Sequence, residues 1–247
     1  MQHTEALLMA LVVGLYLYDS ALLMYSNEAV MIPVGQDRWL AGFGSNKTTF
    51  KGKEFYLPNL LVPTRPLFKL AWDFEIAIPS QDFRWSIARK EFGHFVPLVW
   101  GLAASTFLLL PVALFGRLGD LIILLAFSLI YLHVLLIILL LWIERAKFDV
   151  TARGFAVIAV DLLICPPFAL NIVKRLSLIV SVQEDFINAA RRLQSPVDWE
   201  TTKTQVLARL DDEIGWEEDG CPRMKVLLER RSGLTNEDSP CPALIRS

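Results

Sequence analysis

Residues Leu121–Ile143 read LIILLAFSLIYLHVLLIILLLWI, 23 positions with no formal charge and a single imidazole, His133. At about 1.5 Å per residue, a helix of this length reaches roughly 34 Å, enough to cross a hydrocarbon layer of about 30 Å. A helix in a water-soluble core seldom runs so far without a polar face. This one stretch sets the expected class, an α-helical multi-span membrane protein.

Working outward, three more apolar segments qualify as candidate spans: Ala6–Tyr25, His94–Phe115 and Gly154–Val173. The connection Gly116–Asp120 is so short that the second and third spans must form an antiparallel hairpin. Pro97 and Pro111 lie near the ends of the second span, where proline disturbs a helix least. The first segment has no Lys or Arg before Arg38 and no small-residue cleavage site after it. It reads as a retained span rather than a signal peptide. The fourth contains Asp161 and the pair Pro166-Pro167, which removes two backbone donors and breaks the helix. Two geometries satisfy this. A kinked span could carry the tail across. Alternatively, a short helix 154–165 could dip in and turn at Cys165-Pro166-Pro167, and an amphipathic helix 168–192 could return along the interface. The second keeps the basic tail on the inner side and is preferred.

Of all residues, 54% are apolar, and the mean hydropathy is +0.43. Charge is concentrated outside the apolar runs. Residues 26–92 hold nine basic and seven acidic side chains, and residues 174–247 hold eleven and thirteen. Neither balance suits a nucleic-acid binder. Cys165, Cys221 and Cys241 are too few and too scattered for a disulfide framework or a zinc site. Basic residues concentrate in 26–92 and 144–153, including Arg145, Lys147 and Arg153, while the hairpin tip has only Arg117. The expected topology is an outside N-terminus, with loop 26–92 and the C-terminal tail cytoplasmic. The chain divides into a first transmembrane helix (1–25), a cytoplasmic loop with a small β unit and an interfacial segment (26–92), and a transmembrane hairpin (93–143). A broken or re-entrant segment (144–180) and a cytoplasmic helical tail with a frayed end (181–247) follow.

Within the loop, Ala29–Val34, Arg38–Gly42, Thr48–Phe50, Glu54–Leu57 and Leu67–Trp72 read as short strands divided by Gly-rich turns. Three prolines make 57–66 extended. Asn46-Lys47-Thr48 matches a glycosylation sequon, which a cytoplasmic loop would never use. From Phe68 to Phe92, aromatics alternate with charges, which suits either the headgroup layer or packing on the β unit. In the tail, Ser195-Pro196-Val197-Asp198 starts a helix whose stripe of Val197, Val206, Leu207, Leu210 and Ile214 needs a cover. Pro222 opens a second helix to about Arg231.

Ionisable groups inside a bilayer are costly and draw functional suspicion. Asp19, His133 and Asp161 could share one layer, roughly 9–15 Å below the cytoplasmic surface. There they could pass protons, bind a cation or hold helices together. The plainer alternatives are a snorkelling or capping Asp19, a His133 that hydrogen-bonds between helices, and an Asp161 that belongs to a kink. Haem ligation by His94 and His133 is disfavoured, because their depths differ by roughly 12 Å. A basic cluster of Arg84, Arg89, Lys90, Arg145 and Lys147 is expected at the interface. No hydrolase elbow, zinc-protease helix or phosphate loop occurs in a usable setting. The leading expectation is a non-catalytic membrane subunit, without cofactor or metal, that scaffolds other subunits or copies of itself through cytoplasmic surfaces. Two alternatives are an oligomeric ion or proton path lined by the three polar residues, and a membrane enzyme acting on a lipid-linked substrate.

Overall fold

The computed structural model describes residues 2–35, 38–72, 90–116, 118–180, 184–216 and 222–236. The first helix, α1 (Gln2–Ser20), stops five residues before the end of the expected first span. Leu22–Met24 is instead a strand, β1, paired antiparallel with β5 (Lys53–Tyr56). The apolar run from Ala6 to Tyr25 hides this change, because a buried strand and a buried helix look alike over three residues.

Four of the five strands expected in the β unit form within one residue of their expected ends, while the one expected at Thr48–Phe50 begins at Ser45. Strands β2 (Glu28–Val34), β3 (Arg38–Phe43), β4 (Ser45–Phe50) and β6 (Phe68–Ala71) join β1 and β5 in two three-stranded antiparallel sheets. Their orders are β1-β5-β4 and β3-β2-β6. The sheets meet where β3 has no side chain to spare. A Cβ on Gly42 would lie 2.6 Å from the Tyr56 hydroxyl, and one on Gly44 would lie 2.4 Å from the Glu54 Cβ. Only glycine permits that approach. Segment 57–66 is turn and loop, as its prolines require.

The hairpin forms as expected. Helix α2 (Phe92–Phe115) begins with a 3₁₀ turn and carries a π-bulge at Ser105–Leu109, and α3 runs from Asp120 to Glu144. The pair is long and apolar enough to cross a membrane, judged by length and composition. The fourth segment breaks. Helix α4 (Ala152–Ile164) has 13 residues, and Cys165 leads into a 3₁₀ stretch, Pro166–Asn171, followed by α5 (Ile172–Ile179). At about 1.5 Å per residue α4 covers roughly 20 Å. The expected return helix 168–192 is not continuous, since α5 ends at Ile179 and α6 spans Phe186–Leu193.

The 3₁₀ stretch is the hub of the helical half and touches α1, α2, α3 and α4. Pro167, Ala169, Leu170 and Asn171 are buried there. Around this hub the helices leave large apolar side chains outward, including Leu7, Leu124, Leu132, Leu139 and Val157, with Leu121 76% and Ile164 77% exposed. Aromatic rings join the helices to the β unit. Trp39 meets Phe68, Phe68 meets Phe92, and Phe92 stacks on Phe148 with centroids 5.1 Å apart. Phe68, Trp72 and Phe92 are therefore core residues, which decides for packing on the β unit at these positions. Phe74, Phe83 and Trp85 lie outside the described residues.

The tail holds α7 (Pro196–Trp216) and α8 (Pro222–Asn236), the latter running five residues past the expected end. Ser195 caps α7, its Oγ accepting from the Asp198 amide at 3.2 Å and donating to the Asp198 carboxylate at 2.7 Å. Val206 and Leu210 are buried, and Leu207 and Ile214 pack against the core. Val197 stays 77% exposed and is not part of the stripe.

Candidate functional site

The passage from the 3₁₀ stretch into α5 places Asn171, the N-cap residue of α5, with Lys174 and Arg175 at positions i, i+3 and i+4, on one face. That face meets the end of α1. Arg175 donates from Nε to Asp19 Oδ1 at 2.9 Å, and its Nη2 reaches the same oxygen. Its Nη1 lies 3.3 Å from Asp161 Oδ2, and its guanidinium covers the Phe168 ring at 4.9 Å. Asn171 Nδ2 donates to Asp19 Oδ2 at 2.9 Å and to Ser20 Oγ at 3.1 Å. Lys174 Nζ donates to the Ser20 carbonyl at 3.0 Å. The end of α1, the last turn of α4 and the start of α5 are thus locked by one polar cluster.

Two of the three expected polar residues therefore converge, and the third does not join them. Asp19 and Asp161 share Arg175. His133 turns elsewhere. Its Nδ1 lies 2.8 Å from the Leu129 carbonyl in its own helix, and its Nε2 sits where a Cβ on Gly101 would be, at 2.4 Å. It works as a helix-packing residue between α3 and α2, made possible by a glycine. The arginine between the two acids also occupies the place a passing cation would need, and its charge repels one. The cluster is built as a clamp.

Lys174 and Arg175 read in the sequence only as topology markers after the fourth segment. Their spacing with Asn171 was the available signal. What hid it was sequence distance, since Asp19 lies more than 150 residues from its partners. Lys174 is 4% exposed, and burial pulls its ammonium down to about 8, against the opposing pull of Asp19. On its far side a cavity of about 130 Å³ opens, walled by Tyr16, Tyr56, Asn59, Leu60, Arg65 and Lys174 among others.

The expected interfacial basic cluster is only partly in view. Arg84 and Arg89 lie outside the described residues, and Lys90 is exposed. Arg145 stacks on Trp142 at 4.0 Å. Lys147 Nζ is 3.2 Å from Glu144 Oε1, which His94 Nδ1 also meets at 2.7 Å. This group ties the start of α2 to the end of α3. A second clamp joins tail and β unit. Arg209 donates to Glu54 at 2.7 Å, to the Gly44 carbonyl at 2.6 Å and to the Ser26 carbonyl at 3.2 Å, over the Phe43 ring. Glu54 and Arg209 are both buried. Among the described residues, no group of three or more His, Cys, Asp or Glu is placed to hold a metal.

Comparison with protein-family models, with curated protein sequences and with solved structures gives no match.

Proposed function

We propose that the chain is an integral membrane subunit that anchors a cytoplasmic platform to the bilayer and offers it to other subunits or to copies of itself. One observation carries this reading: apolar side chains stand outward on all of α1 to α4, while the tail and the β unit are pinned together as one body. A water-soluble fold does not leave Leu121, Leu124, Leu132, Leu139 and Ile164 exposed on neighbouring helices. Lipid or a partner must cover them.

The tail supports the topology. Arg209–Glu54 and the 2.6 Å bond from Ser26 Oγ to Glu213 hold α7 against the loop after α1. Loop and tail must then lie on one side. An even number of crossings must separate them, which the hairpin supplies if the 13-residue α4 enters and returns at the Cys165–Asn171 break. The positive bias of 26–92 and 144–153 supports a cytoplasmic location for that shared side. Because the tail's stripe is already buried within the chain, docking surfaces must be sought elsewhere, on the outward faces of the helices and at Phe50, Leu61 and Val197.

Gentle detergent extraction followed by native mass spectrometry tests the proposal. The expected result is a homo-oligomer or a co-purifying partner. A lone monomer under all mild conditions refutes it.

A further inference from the structure

The cavity beside Lys174 has an unusual wall. Lys174 is almost wholly buried and has three N–H donors, of which one reaches the Ser20 carbonyl. Arg65, half-buried on the proline-rich loop, faces the same space. No acid is among the lining residues. Among the described residues, the acids beside Lys174 are Asp19 and Asp161, both held by Arg175. Lys174, Arg175 and Arg65 set three cations against these two carboxylates, an excess of one positive charge at the cavity. With Lys174 buried and Arg65 half-buried, that excess favours an anion. Neutral donors complete the wall. Asn59 uses its carbonyl oxygen to accept from the Leu61 amide, which leaves its NH₂ group to donate. Tyr56 keeps its phenolic proton, since burial pushes its ionisation up to about 12.

We propose that this cavity is a binding site for a phosphate group, held by Lys174 and Arg65 with Tyr56 and Asn59 as neutral donors. Cations and neutral donors approaching from several directions suit a tetrahedral anion with many acceptor sites better than a planar carboxylate. Size narrows the ligand. A cavity of about 130 Å³ holds a phosphate with a short carbon chain and is too small for a nucleotide. The rest of the wall is apolar, from Ile32, Leu60, Val62 and Leu67, and accepts a short carbon chain. A soluble phosphate monoester and a phospholipid headgroup present the same chemistry here. The site depends on the packing of α1, α5 and the loop, and it stands whether or not the scaffold reading does.

Acylation of Lys174 in the wild-type protein reads the site directly. The full chain is treated at mildly alkaline pH with a small N-hydroxysuccinimide acetate, and each lysine is followed by peptide mass spectrometry. Saturating glycerol 3-phosphate, or nanodiscs of phosphatidylcholine with phosphatidic acid, is expected to slow Lys174 labelling by about tenfold and leave exposed Lys51 unchanged. Acetate at equal ionic strength and pure phosphatidylcholine are expected to have no effect. Arg65→Gln should raise the phosphate concentration needed by about tenfold or more. Protection by glycerol 3-phosphate identifies a soluble ligand, and protection by phosphatidic acid alone identifies a lipid headgroup. Equal labelling with every phosphate probe, equal protection by acetate, unchanged protection in R65Q, or a Lys174 inert in the ligand-free protein would each overturn the assignment.

Discussion

Arg175 joins distant parts of this fold, because two carboxylates from separate helices depend on it. Asp19 is buried in its company, so Arg175→Ala strands a carboxylate. The expected cost is about 3 kcal/mol, read from thermal unfolding in detergent. Asp161→Asn should cost less than about 1 kcal/mol, since that carboxylate is 48% exposed and screened. Equal losses from the two variants would show that the clamp is not centred on Asp19. Lys174 adds a pH signature. Its folded ionisation, about 8, lies below the unfolded value of 10.5. Between those values the unfolded chain binds more protons, so stability rises as pH increases from about 8 towards 10.5. Lys174→Met should flatten that rise. An identical pH profile in wild type and K174M would place the lysine in water.

At the scale of elements, close contacts decide which neighbours are possible. Helices α2 and α3 approach at Gly101, against the His133 ring. Gly101→Ala should destabilise by about 1–3 kcal/mol. His133→Ala should recover part of that loss in the double variant, as a cycle of unfolding measurements would record. Additive effects would mean that the two do not touch. The tail helix α7 depends on Arg209 in the same way. Arg209→Met leaves Glu54 buried without its guanidinium, at a cost of about 3 kcal/mol, and should make α7 more susceptible to protease. Adding Glu54→Gln should restore much of the protection. The end of α1 illustrates how far local reading goes. Leu22–Met24 is apolar enough to extend a helix, and only pairing with β5 makes it a strand.

For the whole molecule, the proposed topology makes one geometric demand: β unit and tail share a side. Single cysteines at Lys51 and Gln205, both exposed, in a chain whose native cysteines are replaced, should be labelled from the same face of sealed vesicles. Labelling from opposite faces would contradict either the membrane placement or the docking of α7 on the β unit. The chain alone determined the hairpin, the strands β2, β3, β5 and β6, the cap at Ser195 and the break at Pro166-Pro167, because each is written in neighbouring residues through periodicity, turn chemistry or a missing donor. Tertiary structure alone decided that Asp19 and Asp161 meet Arg175, that His133 stands apart from them, and that Arg209 pins the tail to the β unit. Those outcomes depend on which distant surfaces touch, and a buried charge finds its partner through the fold of the intervening chain rather than through its own place in the sequence.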